Sequence, residues 1–281
     1  MIAQRINDLP VAVGDVLADK YRVERVLGAG GMGIVVAAEH LQLGQRVAVK
    51  FLLPEACEDP VTLGRFLREA RAAASIRSEH VARVIDVGTL PTGEPYLVME
   101  YLAGSDLSDE LSKQGPLPIA AAVDYVLQAC EALAEAHALG IVHRDLKPAN
   151  LFLTKRADGS PVVKVLDFGI SKSQSPAGEA KQAAMTSTRA VMGSPLYMSP
   201  EQLKSTRDVD ARTDIWSLGV ILHELIGGKP PFHAETLSGL VIQIANEPPL
   251  PLRGMRPEVP EELEAVIQRC LCKDLSVRSQ T

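Results

Sequence analysis

The sequence predicts an α+β chain of two lobes, a small antiparallel β-sheet lobe with one main helix followed by a larger, mainly helical lobe. Three observations carry that expectation. Between Tyr21 and about Tyr101 short β-branched runs alternate with turn residues, one helix-periodic stretch interrupts them, and from Ile119 onward apolar residues recur at helical spacing. A chain of 281 residues is long enough for two such bodies, and its hydrophobic and charged fractions of 46% and 23% are those of an ordinary globular protein.

In order, residues 1–20 read as an N-terminal extension and residues 21–101 as the sheet lobe. Its strands are YRVERVLG, GIVVAAEH, QRVAVKFL, VARVIDVG and PYLVMEYL, with turns at Leu43-Gly44 and Pro91 to Gly93. VTLGRFLREARAAASI places Phe66, Ala70, Ala73 and Ala74 on one apolar stripe, so this helix should face the sheet. Residues 102–106 make a hinge, and residues 107–281 form the helical lobe, with IAAAVDYVLQACEALAEAHALG and PEELEAVIQRCLCKD as its clearest helices. The end of the chain is expected to fall inside a last, truncated helix. The polar, aperiodic stretch from Ser171 to Pro195 should be a long surface loop.

Composition excludes several classes. A net charge of −6 and an aromatic fraction of 4% do not suit a surface that neutralises phosphates and stacks bases, so nucleic acid is not an expected partner. Cys57, Cys130, Cys270 and Cys272 contain no C-x-x-C pair and no zinc spacing, which reads as incidental thiols in a reducing compartment. The start lacks the apolar core of a signal peptide, and no apolar run approaches the ~20 residues that span a bilayer. The segment is expected to be cytoplasmic, with a membrane anchor downstream of it left open.

Gly28, Gly30 and Gly33 fall in a G-x-G-x-x-G spacing, with Gly31 beside them. Such glycines let backbone N–H groups approach phosphate oxygens. A dinucleotide fingerprint needs a helix to open at the third glycine, whereas the sequence continues as a strand, a turn and a second strand. A Walker A loop needs Gly-Lys-Ser/Thr at its end, and Gly33 is followed by Ile34 and Val35. What remains is a glycine-rich hairpin over phosphates, or an ordinary turn. The ordinary turn loses ground once VAVK sets Lys50 in the middle of the next strand, where a charge in a sheet needs an anionic partner.

Farther on, HRDLKPAN carries His143, Arg144, Asp145, Lys147 and Asn150, and LDFG carries Asp167, Phe168 and Gly169. The order and the strand–loop context are those of the protein-kinase signature set. The chain resembles the protein kinase family over about residues 21–281, and GAGGMG, HRDLKPAN and YMSPE look like the eukaryotic-like serine/threonine kinases of bacteria. The resemblance implies a bilobal kinase fold, ATP as phosphoryl donor with Mg²⁺, or Mn²⁺ as a substitute, and proteins as acceptors through serine or threonine.

It also implies roles, residue by residue. Lys50 holds the α- and β-phosphates and is held in turn by Glu69, which otherwise reads as a solvated charge paired with Arg65 at i,i+4. Asn150 and Asp167 offer hard oxygen ligands to the metal. Asp145 accepts the proton of the acceptor hydroxyl, and Lys147 reaches the γ-phosphoryl group. At the adenine end Met99 is the gatekeeper, the backbones of Glu100 and Leu102 meet the base edge, Asp106 meets the ribose, and Val35, Ala48 and Phe152 sandwich the ring. Each of these apolar residues reads equally well as plain core.

Rival motifs fail on residues. HELIG from His223 lacks the second histidine of a zinc protease, and IWSLG lacks the first glycine of a nucleophile elbow. Both lie in what resembles the buried central helix of the second lobe, where Asp214 braces the catalytic loop, Trp216 packs, and Glu201 pairs with Arg278. Ser194 and Ser199 stand where the family more often shows threonine and alanine. Ala149 stands where kinases preferring basic peptides often carry an acid. A pseudokinase is the reading from another class, and loss of chemistry should show at the lysine, base or metal ligands, all of which are present. A small-molecule kinase is disfavoured by the long segment ending in SPE. Thr188, with Thr186 second, is expected to be an autophosphorylation site whose phosphate gathers Arg144, Lys172 and Arg65, with a homodimer as a partner during activation.

Overall fold

The structure, a computed structural model, describes residues 11–29, 33–52, 57, 59–90, 93–168, 195–204 and 209–280, the side chains at positions 60, 61, 65 and 69 excepted. The chain divides into two compact units, one of residues 1–77 and 82–103, the other of 78–81 and 104–281.

The first unit is a six-stranded antiparallel sheet of β1 (Val16–Leu17), β2 (Tyr21–Ala29), β3 (Gly33–His40), β4 (Gln45–Leu52), β5 (Val84–Thr89) and β6 (Pro95–Glu100), in the order β1-β2-β3-β4-β6-β5. Hairpin β3–β4 closes through the amide of Gly44, which donates to His40 O at 2.8 Å with φ +62°, a left-handed turn position that favours glycine. Alternation along the strands makes two faces. Val36, Ala38, Val47, Val49, Phe51 and Val98 fill one core with Tyr21 and Tyr96. On the other, Leu52 and Leu97 pack against Phe66 and Ala70 of α1 (Pro60–Ser75).

Two expectations are corrected here. The stripe on α1 is shorter than its periodicity suggests, because Ala73 is half-buried and Ala74 exposed, so the sheet-facing contact is made by Phe66 and Ala70. The strand expected from Val81 begins at Val84. Residues 78–81 group with the second unit, where the amide of Val165 donates to His80 O, Val81 bridges Val165, and buried His80 meets Val163 O at 3.0 Å through Nδ1.

The second unit opens with a small sheet, β7 (Ser105–Asp106), β8 (Leu151–Lys155) and β9 (Pro161–Val165). Its helices are α2 (Leu107–Gln114), α3 (Ile119–Ala138), α4 (Pro200–Lys204), α5 (Arg212–Gly227), α6 (Leu237–Asn246), α7 (Leu252–Met255) and α8 (Glu261–Cys270). Helix α5 is apolar on nearly every side and buried accordingly, with α3 and α8 packed on it. Gly219 permits that approach, since a Cβ there would lie 2.7 Å from Cys270 Cβ. Among the described residues no helix is long and apolar enough to cross a membrane.

After α8 the chain makes turns rather than the expected terminal helix, and these carry Arg278 back into the core. Arg278 is fully buried, pairs with Glu201 through both terminal nitrogens, donates to Cys272 O and Arg212 O, and lies 5.1 Å from the ring centre of Trp216. Removing one member of a buried pair strands the other charge. Arg278→Met is therefore expected to cost about 3–5 kcal/mol in urea unfolding, with part of the loss recovered in the Glu201→Met/Arg278→Met double variant. A loss below about 1 kcal/mol, the ceiling for an exposed pair, would contradict this account.

Candidate active site

In the first unit strand register, rather than sequence proximity, assembles the expected residues. Val35 faces Lys50 across β3–β4, Lys50 faces Leu97 across β4–β6, and Ala48 faces Met99. Directly opposed residues share a face and the pattern repeats every second residue, so Val35, Ala48, Lys50 and Met99 all stand on one face. It is the face that α1 covers through Leu52 and Leu97, so Lys50 and α1 occupy the same side. The Glu69 side chain lies outside the description, as does that of Arg65. Gly28 pairs with Val35, and a Cβ on Gly33 would come within 2.4 Å of Phe51 O, so this position tolerates only glycine. Gly30 and Gly31 lie outside the described residues. At the end of β6, Glu100 is fixed to Arg83 twice, its amide donating to Arg83 O at 3.0 Å and its Oε1 accepting from Arg83 N at 2.8 Å. Tyr101 and Leu102 follow, half-buried.

In the second unit the centre is Asp214, wholly buried in the first turn of α5. Its Oδ2 accepts from the amide of His143 at 2.9 Å and meets His137 Nε2 at 2.8 Å, while its Oδ1 accepts from the amide of Arg144 at 2.9 Å. A carboxylate that takes donors on both oxygens fixes the loop backbone it faces. His143 adds a second brace, with Nε2 2.9 Å from Leu166 O and Nδ1 accepting from the amide of Asp145 at 3.3 Å, a pattern that puts the ring proton on Nε2. Its ring lies 5.0 Å from that of buried Phe168.

Around Asp145 the parts converge. Lys147 Nζ is 3.0 Å from Asp145 Oδ2, and Asn150 Nδ2 donates to Asp145 O at 2.8 Å, while Asn150 O accepts from the amide of Leu166 at 2.9 Å. Arg144 and Asp167 are held at φ +65° and +50°. Left-handed backbone at non-glycine residues persists where surrounding bonds over-determine it, and such residues cluster at functional sites. Phe152 and Asp106 are register partners across β7–β8. Asp106 spends Oδ1 on the amide of Asp109 at 2.9 Å as the N-cap of α2, a use the sequence reading did not assign. Lys172, Thr186, Thr188 and Ser194 lie outside the described residues, and Arg144 extends Nη2 to Val209 O at 3.4 Å.

The segment 195–204 adds contacts that sequence reasoning missed. Tyr197 donates from its hydroxyl to Glu224 Oε2 at 2.7 Å, and burial pushes both the Glu224 carboxyl and the Tyr197 phenol up. Ser199 is fully buried with its hydroxyl 2.7 Å from Thr213 Oγ1. Among the described residues no cluster of three or more His, Cys, Asp or Glu could hold a metal ion.

Residues 21–281 match the protein kinase domain family. The chain is 38% identical over 268 residues to serine/threonine-protein kinase PknB of Mycolicibacterium smegmatis, covering 94% of this chain and 41% of that protein. It is 43% identical over 255 residues to serine/threonine-protein kinase Pkn1 of Myxococcus xanthus, covering 90% and 35%. It thus spans well under half the length of these relatives. The PknI kinase domain of Mycobacterium tuberculosis superposes with a TM-score of 0.72 at 28% identity, covering 96% of this chain and 95% of that structure. A match that runs through both units, with the same bilobal fold in a solved relative, leaves one assignment: the chain belongs to the protein kinase domain family.

Proposed function

We propose that the chain transfers the γ-phosphoryl group of ATP to serine and threonine hydroxyls of proteins. The observation that carries this reading is the pairing of Lys147 Nζ with Asp145 Oδ2 at 3.0 Å on a loop whose amides are held by buried Asp214. Phosphoryl transfer asks little covalent chemistry of the protein; it needs an acceptor held in line and cations where negative charge spreads. Asp145 orients the acceptor hydroxyl and takes its proton as the new P–O bond forms and the bond to the β,γ-bridging oxygen breaks. Lys147 neutralises the γ-phosphoryl oxygens, and Lys50, steadied by Glu69, holds the α- and β-phosphates. Gly28, Gly30, Gly31 and Gly33 let the backbone close over the phosphates.

Val35, Ala48, Met99 and Phe152 flank adenine, the backbones of Glu100 and Leu102 take its edge, and the ribose contact of Asp106 falls to Oδ2, since Oδ1 caps α2. Asn150 and Asp167 fit a divalent cation, Mg²⁺ or Mn²⁺: with Asn150 Nδ2 donating to Asp145 O, its amide oxygen is left to face a metal, which supports that role. When bound, the cation neutralises charge developing on the phosphate oxygens. We read residues 21–101 as the N-lobe, 102–106 as the hinge and 107–281 as the C-lobe, working in the cytoplasm. The names of the PknB and Pkn1 relatives and the lysine at position 147 support serine/threonine specificity. Incubation with labelled ATP, Mg²⁺ and a protein substrate, followed by mass-spectrometric mapping, tests the reading. Phosphate on serine or threonine is expected; no transfer to any protein, including the chain itself, would overturn it.

The same chemistry extends to the chain's own Thr188, and secondarily Thr186, phosphorylated by a second copy. A phosphothreonine brings about −1.5 to −2 charges and makes one to three charge-assisted bonds, here to Arg144, Lys172 and Arg65. Thr186→Ala/Thr188→Ala is expected to lower activity on an exogenous substrate by about tenfold or more. Unchanged activity of the double variant refutes the switch and leaves the kinase reading standing.

A further inference from the structure

We propose that Gln202 is a positioning residue, a two-ended strut tying the backbone ahead of Asp145 to the segment 195–204, which we read as the docking platform for the protein substrate because it resembles that of the family. The inference rests on the phosphotransfer reading above. Gln202 Nε2 donates to Arg144 O at 2.8 Å, and its Oε1 accepts from the amide of Ser199 at 3.0 Å. A glutamine amide donates at one terminal atom and accepts at the other, so a single side chain can hold a carbonyl and an N–H from two separate stretches of backbone.

Both ends of the strut sit on fixed ground. On the segment side, the Ser199 hydroxyl meets buried Thr213, and Tyr197 O accepts from Ser217 Oγ at 2.8 Å, so the stretch is fastened to α5. On the loop side, Arg144 stands at φ +65° with its amide already held by Asp214. Gln202 takes the carbonyl of that same residue. With both backbone groups of Arg144 tied to different elements, the peptide plane leading into Asp145 has one orientation, and the direction of the Asp145 carboxylate follows from it. The base and the docking segment then share one mechanical frame, so an acceptor hydroxyl presented by that segment arrives in register with Asp145. Ser199, where the family more often has alanine, strengthens the frame by giving the segment a buried hydroxyl bond.

Two substitutions separate the arms. Gln202→Glu keeps the shape and an acceptor for the Ser199 amide but sets a carboxylate oxygen against Arg144 O. Gln202→Met removes both arms. With ATP and a protein substrate, both are expected to lower kcat between about 5- and 100-fold, the range in which small misplacements of reacting groups fall. KM for ATP should stay within about twofold, and KM for the protein substrate should rise more in the Met variant. Amide hydrogen exchange, which needs no turnover, should quicken at residues 143–146 in both variants and at 197–203 in the Met variant alone. Unchanged exchange at 143–146 overturns the strut, as does faster exchange spread evenly over the second unit with kcat per folded molecule preserved. If the wild-type chain transfers no phosphate, the kinase reading fails, and exchange at 143–146 still decides whether Gln202 holds the loop.

Discussion

Asp145→Asn is expected to lower phosphotransfer by about 10²–10⁴-fold, the contribution typical of a positioned general base, while leaving nucleotide affinity nearly intact. The substitution is close to isosteric, and the loop around it is held by groups it does not touch. Asp214 grips the amides of His143 and Arg144, His143 Nδ1 takes the amide of residue 145, and Asn150 Nδ2 takes its carbonyl. What changes is the carboxylate. An asparagine can still orient an acceptor hydroxyl through its oxygen, but it cannot accept the proton, and it loses the ionic part of the 3.0 Å pairing with Lys147. That pair is partly open to solvent, so its loss should change folding stability by no more than about 1 kcal/mol. Turnover with labelled ATP and a parallel nucleotide titration separate the two effects. Transfer by the variant within about tenfold of wild type would remove Asp145 from the role of base.

Short-range patterns made most of the fold and much of this site legible. Strands β2, β3, β4 and β6 announced themselves by β-branched runs between turn residues, and helices α3 and α8 by their period. The loop from His143 to Asn150 is a contiguous motif, so its chemistry could be read in place, although Asp214, Leu166 and Gln202, which hold its backbone and His143, lie far along the chain. Contacts that span the chain were legible only where the resemblance supplied them, as for the Asp214 brace and the Glu201–Arg278 pair. Gln202 meets Arg144 across 58 positions and His137 meets Asp214 across 77, and no local pattern encodes which distant backbone a side chain will find. The extent of the α1 stripe was hidden for a related reason: periodicity picks a helix face, but where the sheet ends beneath that face is a tertiary matter. Strand β7 has two residues, too few to show an alternation. The cap at Asp106 was legible in the sequence, since an aspartate before a helix with Asp109 and Glu110 in its first turn is a start signal.

Lys50→Met should cut turnover by about 10²–10³-fold, with less than about tenfold change in nucleotide affinity, because a contact to charge that redistributes along the phosphates gains strength on the way to the transition state. The position itself permits the change. Lys50 lies in the middle of β4 between Val35 and Leu97, half-buried, on the face shared with Ala48 and Met99. An unbranched apolar chain of similar reach fits that half-buried surface, and losing one member of the partly exposed pair proposed with Glu69 changes stability by no more than about 1 kcal/mol, so melting temperature should change little. A fold that survives while turnover falls would locate the defect in charge, not in packing. Lys50→Arg sharpens the point: it keeps the charge but replaces a compact ammonium with a wide planar fork. Restoration of wild-type turnover by arginine would mean that any cation near the sheet suffices. Continued loss means that a point charge at the reach of lysine is what the phosphates require. A large drop in nucleotide affinity with turnover preserved in the methionine variant would contradict both statements and make Lys50 a ground-state binding group.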